Sequence, residues 1–361
     1  MAGQHNPKAR LGLSAQQAAT RPAAGIAQAP PLPAIDFSKV GKSAPTPLNA
    51  SPGRLPAASA VVITWADAEW AALEHVFCSS SEAMPYSARE RSSWPGWQRL
   101  DGQRPASAPR DWSYWGEYRL VQVSGRAVLL FKSNTHLDWP GGAYLQELIR
   151  LLISQTRPGL VLSIGTAGGA RPLDHLGTVR AVSAATLYQP GRPQTSWPEY
   201  RNAWHAADTT INHAGFAELL VPVPTRESDL QALCQQLNEQ HGSAYTLPQL
   251  DPHGLNRAAA LPQIDDQTGG TASLLTTSTF VVGTTSGNYA SFACIEMDDA
   301  LVGEACSSAG TAFGFVRNVS DPVQNAALPA RVQGDWGSLV YDAYGLYTSV
   351  NGALTAWAML A

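Results

Sequence analysis

Apolar residues along the chain fall into short continuous runs that alternate with stretches of helical spacing. The first run, Val61, Val62, Ile63 and Thr64, is rich in β-branched residues and uninterrupted, as a strand buried on both faces requires. It feeds directly into residues 66–77, where Trp70, Leu73 and Phe77 recur on one helical face. "EYRLVQVSGRAVLLFKS" (117–133) reads as a strand pair turning at Ser124 and Gly125. "GGAYLQELIRLLISQT" (141–156) carries the stripe Tyr144, Leu145, Leu148, Ile149 and Leu152 of an amphipathic helix. Further strands are expected in "PGLVLSIGTAGGA" (158–170), "GTVRAVSAATLY" (177–188), "SLLTTSTFVVGTTSG" (273–287) and "AFGFVRNVSD" (312–321). Helices are expected at "ESDLQALCQQLNEQH" (227–241), at about 298–308 and within 335–360. This alternation predicts an α/β fold: a three-layer sandwich whose central, mostly parallel or mixed sheet has helices on both faces and ligands at the carboxyl ends of its strands.

Composition divides the chain. Residues 1–57 are rich in Pro, Ala and Ser with little periodicity, which predicts a disordered tail, and the folded domain is expected over 58–361. Within it, residues 190–275 read as a loop-rich insertion around the helix at 227–241. The 361 residues are 44% hydrophobic with a net charge of -4, enough for a substantial core and without the basic block that nucleic acid or an anionic membrane would demand. Cys78, Cys234, Cys294 and Cys306 are widely spaced and form no CxxC, so a reduced, cytoplasmic setting is expected and no metal site is indicated. No apolar run reaches the roughly 18 residues of a membrane span.

The candidate chemistry lies at strand ends. "SIGTAGGA" lets backbone approach a ligand at Gly165, Gly168 and Gly169 and offers the Thr166 hydroxyl, although a plain tight turn reads the same way. Asp67 and Glu69 open a helix and are either caps for its dipole or substrate groups. Phe280 either stacks on a flat ligand or fills the core. Asp321, after Ser320, is either a turn former or an acid. In "CIEMDDALVGEA" (294–305), Glu296, Asp298 and Asp299 are either a solvated helix start or aimed at a substrate.

In this order along the chain, the acidic helix start after the first strand, "IGTAGG", "STFVVG", "EMDDA" and "RNVSDP" resemble the nucleoside phosphorylase/nucleosidase superfamily, most closely its methylthioadenosine/S-adenosylhomocysteine nucleosidase branch. The resemblance spans about 58–325 and leaves most of 190–275 unmatched. It implies that Asp321 protonates a purine at N7 as the glycosidic bond breaks, with Ser320 orienting it. It implies that Glu69 activates the attacking water, that Met297 packs on the sugar and that Asp298 accepts from its 2' and 3' hydroxyls. It implies further that Glu296 completes that shelf, that Phe280 stacks on the base with Val281 offering backbone groups, and that Thr166, Ala167 and Gly168 lie beneath the nucleoside. Asp299 is assigned to the helix N-terminus.

The chain departs from that pattern at Asp298, where the family usually has Glu, and at "KSNTHLDWPGGAY" (132–144), which replaces its glycine-lysine turn. His136 in that segment either contacts a 5' substituent or is solvated. Ala and Glu residues stand near the first arginine position of phosphorylases and Ser163 near the second, which favours hydrolysis. The implied activity is a purine nucleosidase-type N-glycosidase acting on a small-molecule nucleoside, without a cofactor and as a homo-oligomer. The alternatives are a phosphorylase and a non-catalytic nucleoside-binding or sensor protein.

Overall fold

The computed structural model describes residues 29–361 apart from 52, 103, 138, 172–173, 207–209, 259–260, 278–288 and 323–324. In chain order the described strands and helices are β1 (Thr46–Leu48), β2 (Ala60–Thr64), α1 (Asp67–Phe77), β3 (Gln98–Leu100), β4 (Gly116–Val123), β5 (Arg126–Ser133), α2 (Gly142–Thr156), β6 (Leu160–Gly168), β7 (Val179–Val182), β8 (Ala184–Leu187) and β9 (Glu199–Arg201). They continue with α3 (Glu227–His241), α4 (Leu247–Leu250), β10 (Ile264–Gln267), β11 (Leu274–Thr276), β12 (Ile295–Glu296), α5 (Asp299–Ala309), β13 (Ala312–Asp321) and α6 (Ala330–Leu360). One sheet runs β1-β4-β5-β2-β6-β12-β11-β8-β9, and β13 joins it along β6. The centre is parallel, since β2 pairs in that sense with β5 and β6, and β6 with β13. The periphery is antiparallel at β4 with β5 and at β8 with β9, so the sheet is mixed.

Strand alternation sorts the core into two layers, as a period of two dictates. Ala60 and Val62 of β2 and Val128 and Leu130 of β5 pack with α1 and α6, through Trp70, Leu73, Tyr344, Leu346 and Trp357 among others. Val61, Ile63, Leu129 and Phe131 pack on the opposite face with Leu145, Leu148, Ile149 and Leu152 of α2 and Leu301 and Val302 of α5. The α/β three-layer sandwich is therefore realised, and the apolar closing helix is core within the chain itself. The β4–β5 turn falls at Ser124 and Gly125, both with positive φ (46° and 80°), the conformation of a tight hairpin turn. Residues 177–188 form two strands rather than one. The break is at Ser183, whose hydroxyl donates to Thr268 O (2.9 Å), after which β7 pairs with β10 and β13 while β8 pairs with β11 and β9.

The expectation of a disordered tail through residue 57 is corrected from Ala29 onward. Leu32 is fully buried, exchanges backbone hydrogen bonds with Met84 (2.8 and 3.0 Å), and is followed by buried Phe37, Val40 and Leu55. Thr46–Leu48 adds a strand to β4. The physical reason is that prolines restrict the unfolded segment and lower the entropy lost on docking, so a few spaced apolar anchors suffice. Leu32→Ala is accordingly expected to lower stability by about 2–5 kcal/mol in urea unfolding; a free tail would leave the midpoint unmoved. The 190–275 segment also holds more order than its composition suggests. It supplies α3 over the expected Glu227–His241, and β9 and β10 to the sheet.

Candidate active site

The parallel centre of the sheet brings the carboxyl ends of β2, β6 and β13 together, with β12 meeting the end of β6 at Ile295 and Gly168. Glu69 sits in the first turn of α1, immediately beyond β2, and is 3% exposed. Its two oxygens serve different purposes. Oε2 accepts from Thr64 Oγ1 (2.8 Å), Trp65 N (3.0 Å) and Ala66 N (2.8 Å), which caps the helix and fixes the strand-to-helix turn. Oε1 accepts from Thr166 N (2.7 Å) and Thr166 Oγ1 (2.8 Å) on β6. Burial raises the Glu69 pKa, but the Arg317 charge and the backbone donors outweigh it and hold the carboxyl below its ordinary value. The capping read at this helix start is realised. The carboxylate is filled with donors, and half-buried Thr166 supplies both of those to Oε1.

Asp321 ends β13 and owes its orientation to a bulge. Val319 pairs with Ala167 and Asp321 with Gly168, so Ser320 is the additional residue, and such an insertion turns the next side chain. Ser320 Oγ donates to Asp321 Oδ1 (2.8 Å), the orienting contact expected of it. Asp321 is 7% exposed and packs between Gly168 and Gly337, where an added Cβ would lie 3.2 Å from Oδ2 and 3.3 Å from its Cβ respectively. Glu69 and Asp321 are thus held over Thr166 and Gly168, two positions apart on β6, or about 7 Å along the strand.

Arg317 lies at the centre. Its Nε donates to Asp299 Oδ2 (2.8 Å), and its Nη2 engages Asp299 Oδ1, Glu296 Oε2 (3.1 Å) and Ser163 Oγ (3.2 Å). The guanidinium also lies over the Trp65 ring, 5.0 Å from its centroid. Gly165 admits this: a Cβ there would be 2.5 Å from Arg317 Nη1 and 3.0 Å from Glu69 Oε1. Sequence reasoning missed Arg317, although a cation inside the apolar strand "FGFVRNV" implies buried anionic partners.

The helix-start role expected of Asp299 falls to Glu296. Asp299 is fully buried and spends its side chain on Arg317 and Ser163, so it does not cap the helix. Glu296 caps instead, accepting from Asp298 N (2.6 Å) and Asp299 N (3.0 Å), while Thr276 Oγ1 donates to Glu296 and accepts from Ala300 N (2.8 Å). Asp299 holds the arginine fork, and burial and the Asp299 charge push Glu296 from 4.5 up to about 8. Burial also pushes Asp298 from 3.8 up to about 6, opposed by His136 and Arg317. Asp298 receives Leu137 N at Oδ1 (3.0 Å) and faces His136 Nε2 at Oδ2 (3.2 Å), so His136 is buried against an acid rather than solvated. Met297 is 8% exposed, Ala167 and Gly168 pair with Val319 and Asp321 at the end of β6, and Phe280 and Val281 lie outside the described residues.

These raised values set a sign for stability against pH. Acids whose folded pKa exceeds the unfolded one contribute fully below the unfolded value, and the contribution disappears as pH rises through the folded one. Asp298 and Glu296 therefore make unfolding free energy fall as pH climbs through about 6 and about 8. Glu296→Gln is expected to flatten the upper part of that decline in denaturant titrations at stepped pH; the same slope in the variant would exclude Glu296 as its source.

No protein-family model and no curated protein matches the chain. Among solved structures, it is similar to a methylthioadenosine/S-adenosylhomocysteine nucleosidase from Colwellia psychrerythraea in complex with adenine, at 15% identity, with 83% of this chain and 97% of that chain covered and a TM-score of 0.39. The corresponding nucleosidase of Helicobacter pylori is 11% identical over 83% of this chain and 98% of its own, with a TM-score of 0.43. A Helicobacter pylori futalosine hydrolase is 10% identical over 78% of this chain and 94% of its own, with a TM-score of 0.35.

Proposed function

We propose that the chain is a purine nucleosidase-type N-glycosidase, hydrolysing the bond between a purine and its sugar to free base and free sugar. The observation that carries the reading is the placement of Glu69 against Thr166 and of Asp321 against Gly168, two positions apart on β6, where the parallel strands end. Asp321 donates its proton to the purine N7 as the bond breaks, so the base departs neutral. Ser320 holds the carboxyl in place. Water attacks the cationic sugar carbon from the opposite face. Its proton passes to Glu69 Oε1 where the Thr166 hydroxyl gives way to it, and Arg317 keeps Glu69 ionised for the purpose.

Hydrolysis is favoured over phosphorolysis because Arg317 is already engaged by Asp299 and Glu296. A phosphate dianion would have to displace buried carboxylates from it and then face Glu69. The same excess of acids disfavours a 5'-phosphate on the substrate. The reading includes the cytoplasmic setting expected from the spacing of the cysteines, and the homo-oligomer without a cofactor that the sequence resemblance implies.

Incubation with adenosine, inosine, methylthioadenosine, uridine and AMP tests the substrate class. Free purine from the first three, with uridine and AMP far slower, is the expected result. Uracil release at a comparable rate would exclude the proposed role of Asp321 in base choice.

A further inference from the structure

The segment that replaces the expected glycine-lysine turn is folded on itself. His136 N donates to Trp139 O (2.8 Å), while Trp139 N and Gly141 N donate back to His136 O (3.2 and 3.3 Å). This turn presents His136 and the backbone of Leu137 to Asp298. Leu137 N donates to Oδ1 (3.0 Å), and His136 Nε2 stands 3.2 Å from Oδ2, with the two side chains 11% and 2% exposed. An ionised carboxylate has about two acceptor positions on each oxygen. With Leu137 N bonded to Oδ1 and the His136 ring against Oδ2, each oxygen keeps an acceptor position, a geometry matched to two adjacent hydroxyls.

We infer that His136 is a positioning residue for sugar recognition: it holds Asp298 turned and ionised as the acceptor for a vicinal diol, and so sets the preference for ribose over deoxyribose. This rests on the nucleosidase reading. The charged groups facing Asp298 are His136 from the turn, Arg317 from β13, Asp299 from α5 and Glu296 from β12. His136 and Arg317 oppose the burial that protonates Asp298, and Arg317 is shared with Asp299 and Glu296. Removing His136 takes the imidazole from beside Asp298 Oδ2 and lets the acid keep its proton to higher pH. A protonated carboxyl accepts hydroxyl hydrogen bonds poorly, so the diol loses its acceptor. The shorter reach of Asp298 is thereby offset by a rigid turn that fixes where its oxygens stand.

The test compares kcat and KM for adenosine, 2'-deoxyadenosine and 3'-deoxyadenosine from about pH 5.5 to pH 8, in the full chain and its His136→Ala and His136→Gln variants. His136→Ala is expected to raise KM for adenosine about tenfold or more, with kcat changed less, and to lower the ribose over deoxyribose ratio by a similar factor. His136→Gln, whose amide can reach Oδ2 but carries no charge, should restore part of the ratio while moving its pH dependence upward. An unchanged ratio in His136→Ala, or an equal loss on all three sugars, would overturn the inference while leaving the nucleosidase reading in place. Wild-type protein that releases base from none of them would overturn both.

Discussion

Asp321→Asn is expected to lower kcat for base release by about a hundred- to ten-thousandfold, with the urea unfolding midpoint preserved. The amide keeps the shape of the carboxyl, and its oxygen can still accept the Ser320 hydroxyl that now meets Oδ1 at 2.8 Å. The bulge at Ser320 and the close walls at Gly168 and Gly337 are untouched, so folding should not report the change. What disappears is the proton available to the departing base. Ser320→Ala should cost much less, since it removes an orienting contact and leaves the acid. Quantifying free purine by chromatography in single-turnover reactions separates chemistry from product release; a kcat near that of the wild type would remove Asp321 from the mechanism.

Arg317→Met is expected to destabilise the fold by about 3–5 kcal/mol, the cost of leaving a buried charge uncompensated. The substitution strands Asp299, Glu296 and Glu69 together without their shared cation. Asp299→Leu in the same chain should recover much of the loss, because replacing both partners of a buried pair by apolar groups is often tolerated. Arg317→Lys keeps the charge but not the fork that bonds Asp299 through Nε and Nη2, so an intermediate loss is expected. Urea titrations of these variants read the effect directly. A destabilisation below about 1 kcal/mol in Arg317→Met would mean that the acids are relieved some other way.

The alternation of strands and helices, the hairpin at Ser124 and Gly125 and the bounds of α1, α2 and α3 were legible in the sequence because each depends on local periodicity and turn chemistry. The acids near the site were legible as residue types at strand ends. Their division of labour was not, because it is set by contacts distant in sequence. Asp299 turns to Arg317, eighteen positions away, and Glu69 reaches Thr166, ninety-seven away. His136 looked like a loop histidine until the turn at 136–141 carried it to Asp298, 162 positions later in the chain. The N-terminal strap failed for the opposite reason: its composition is that of a tail, and only the docking of Leu32 against Met84 makes it part of the body.

The central claim, hydrolysis by a carboxyl pair without phosphate, is tested most directly by product stoichiometry from methylthioadenosine in phosphate-free buffer. Free adenine and a reducing sugar should form in equal amounts, at a rate unchanged by added phosphate. Adenine release only when phosphate is supplied, with the sugar recovered as its 1-phosphate, would contradict the account, as would tight nucleoside binding with no release at all.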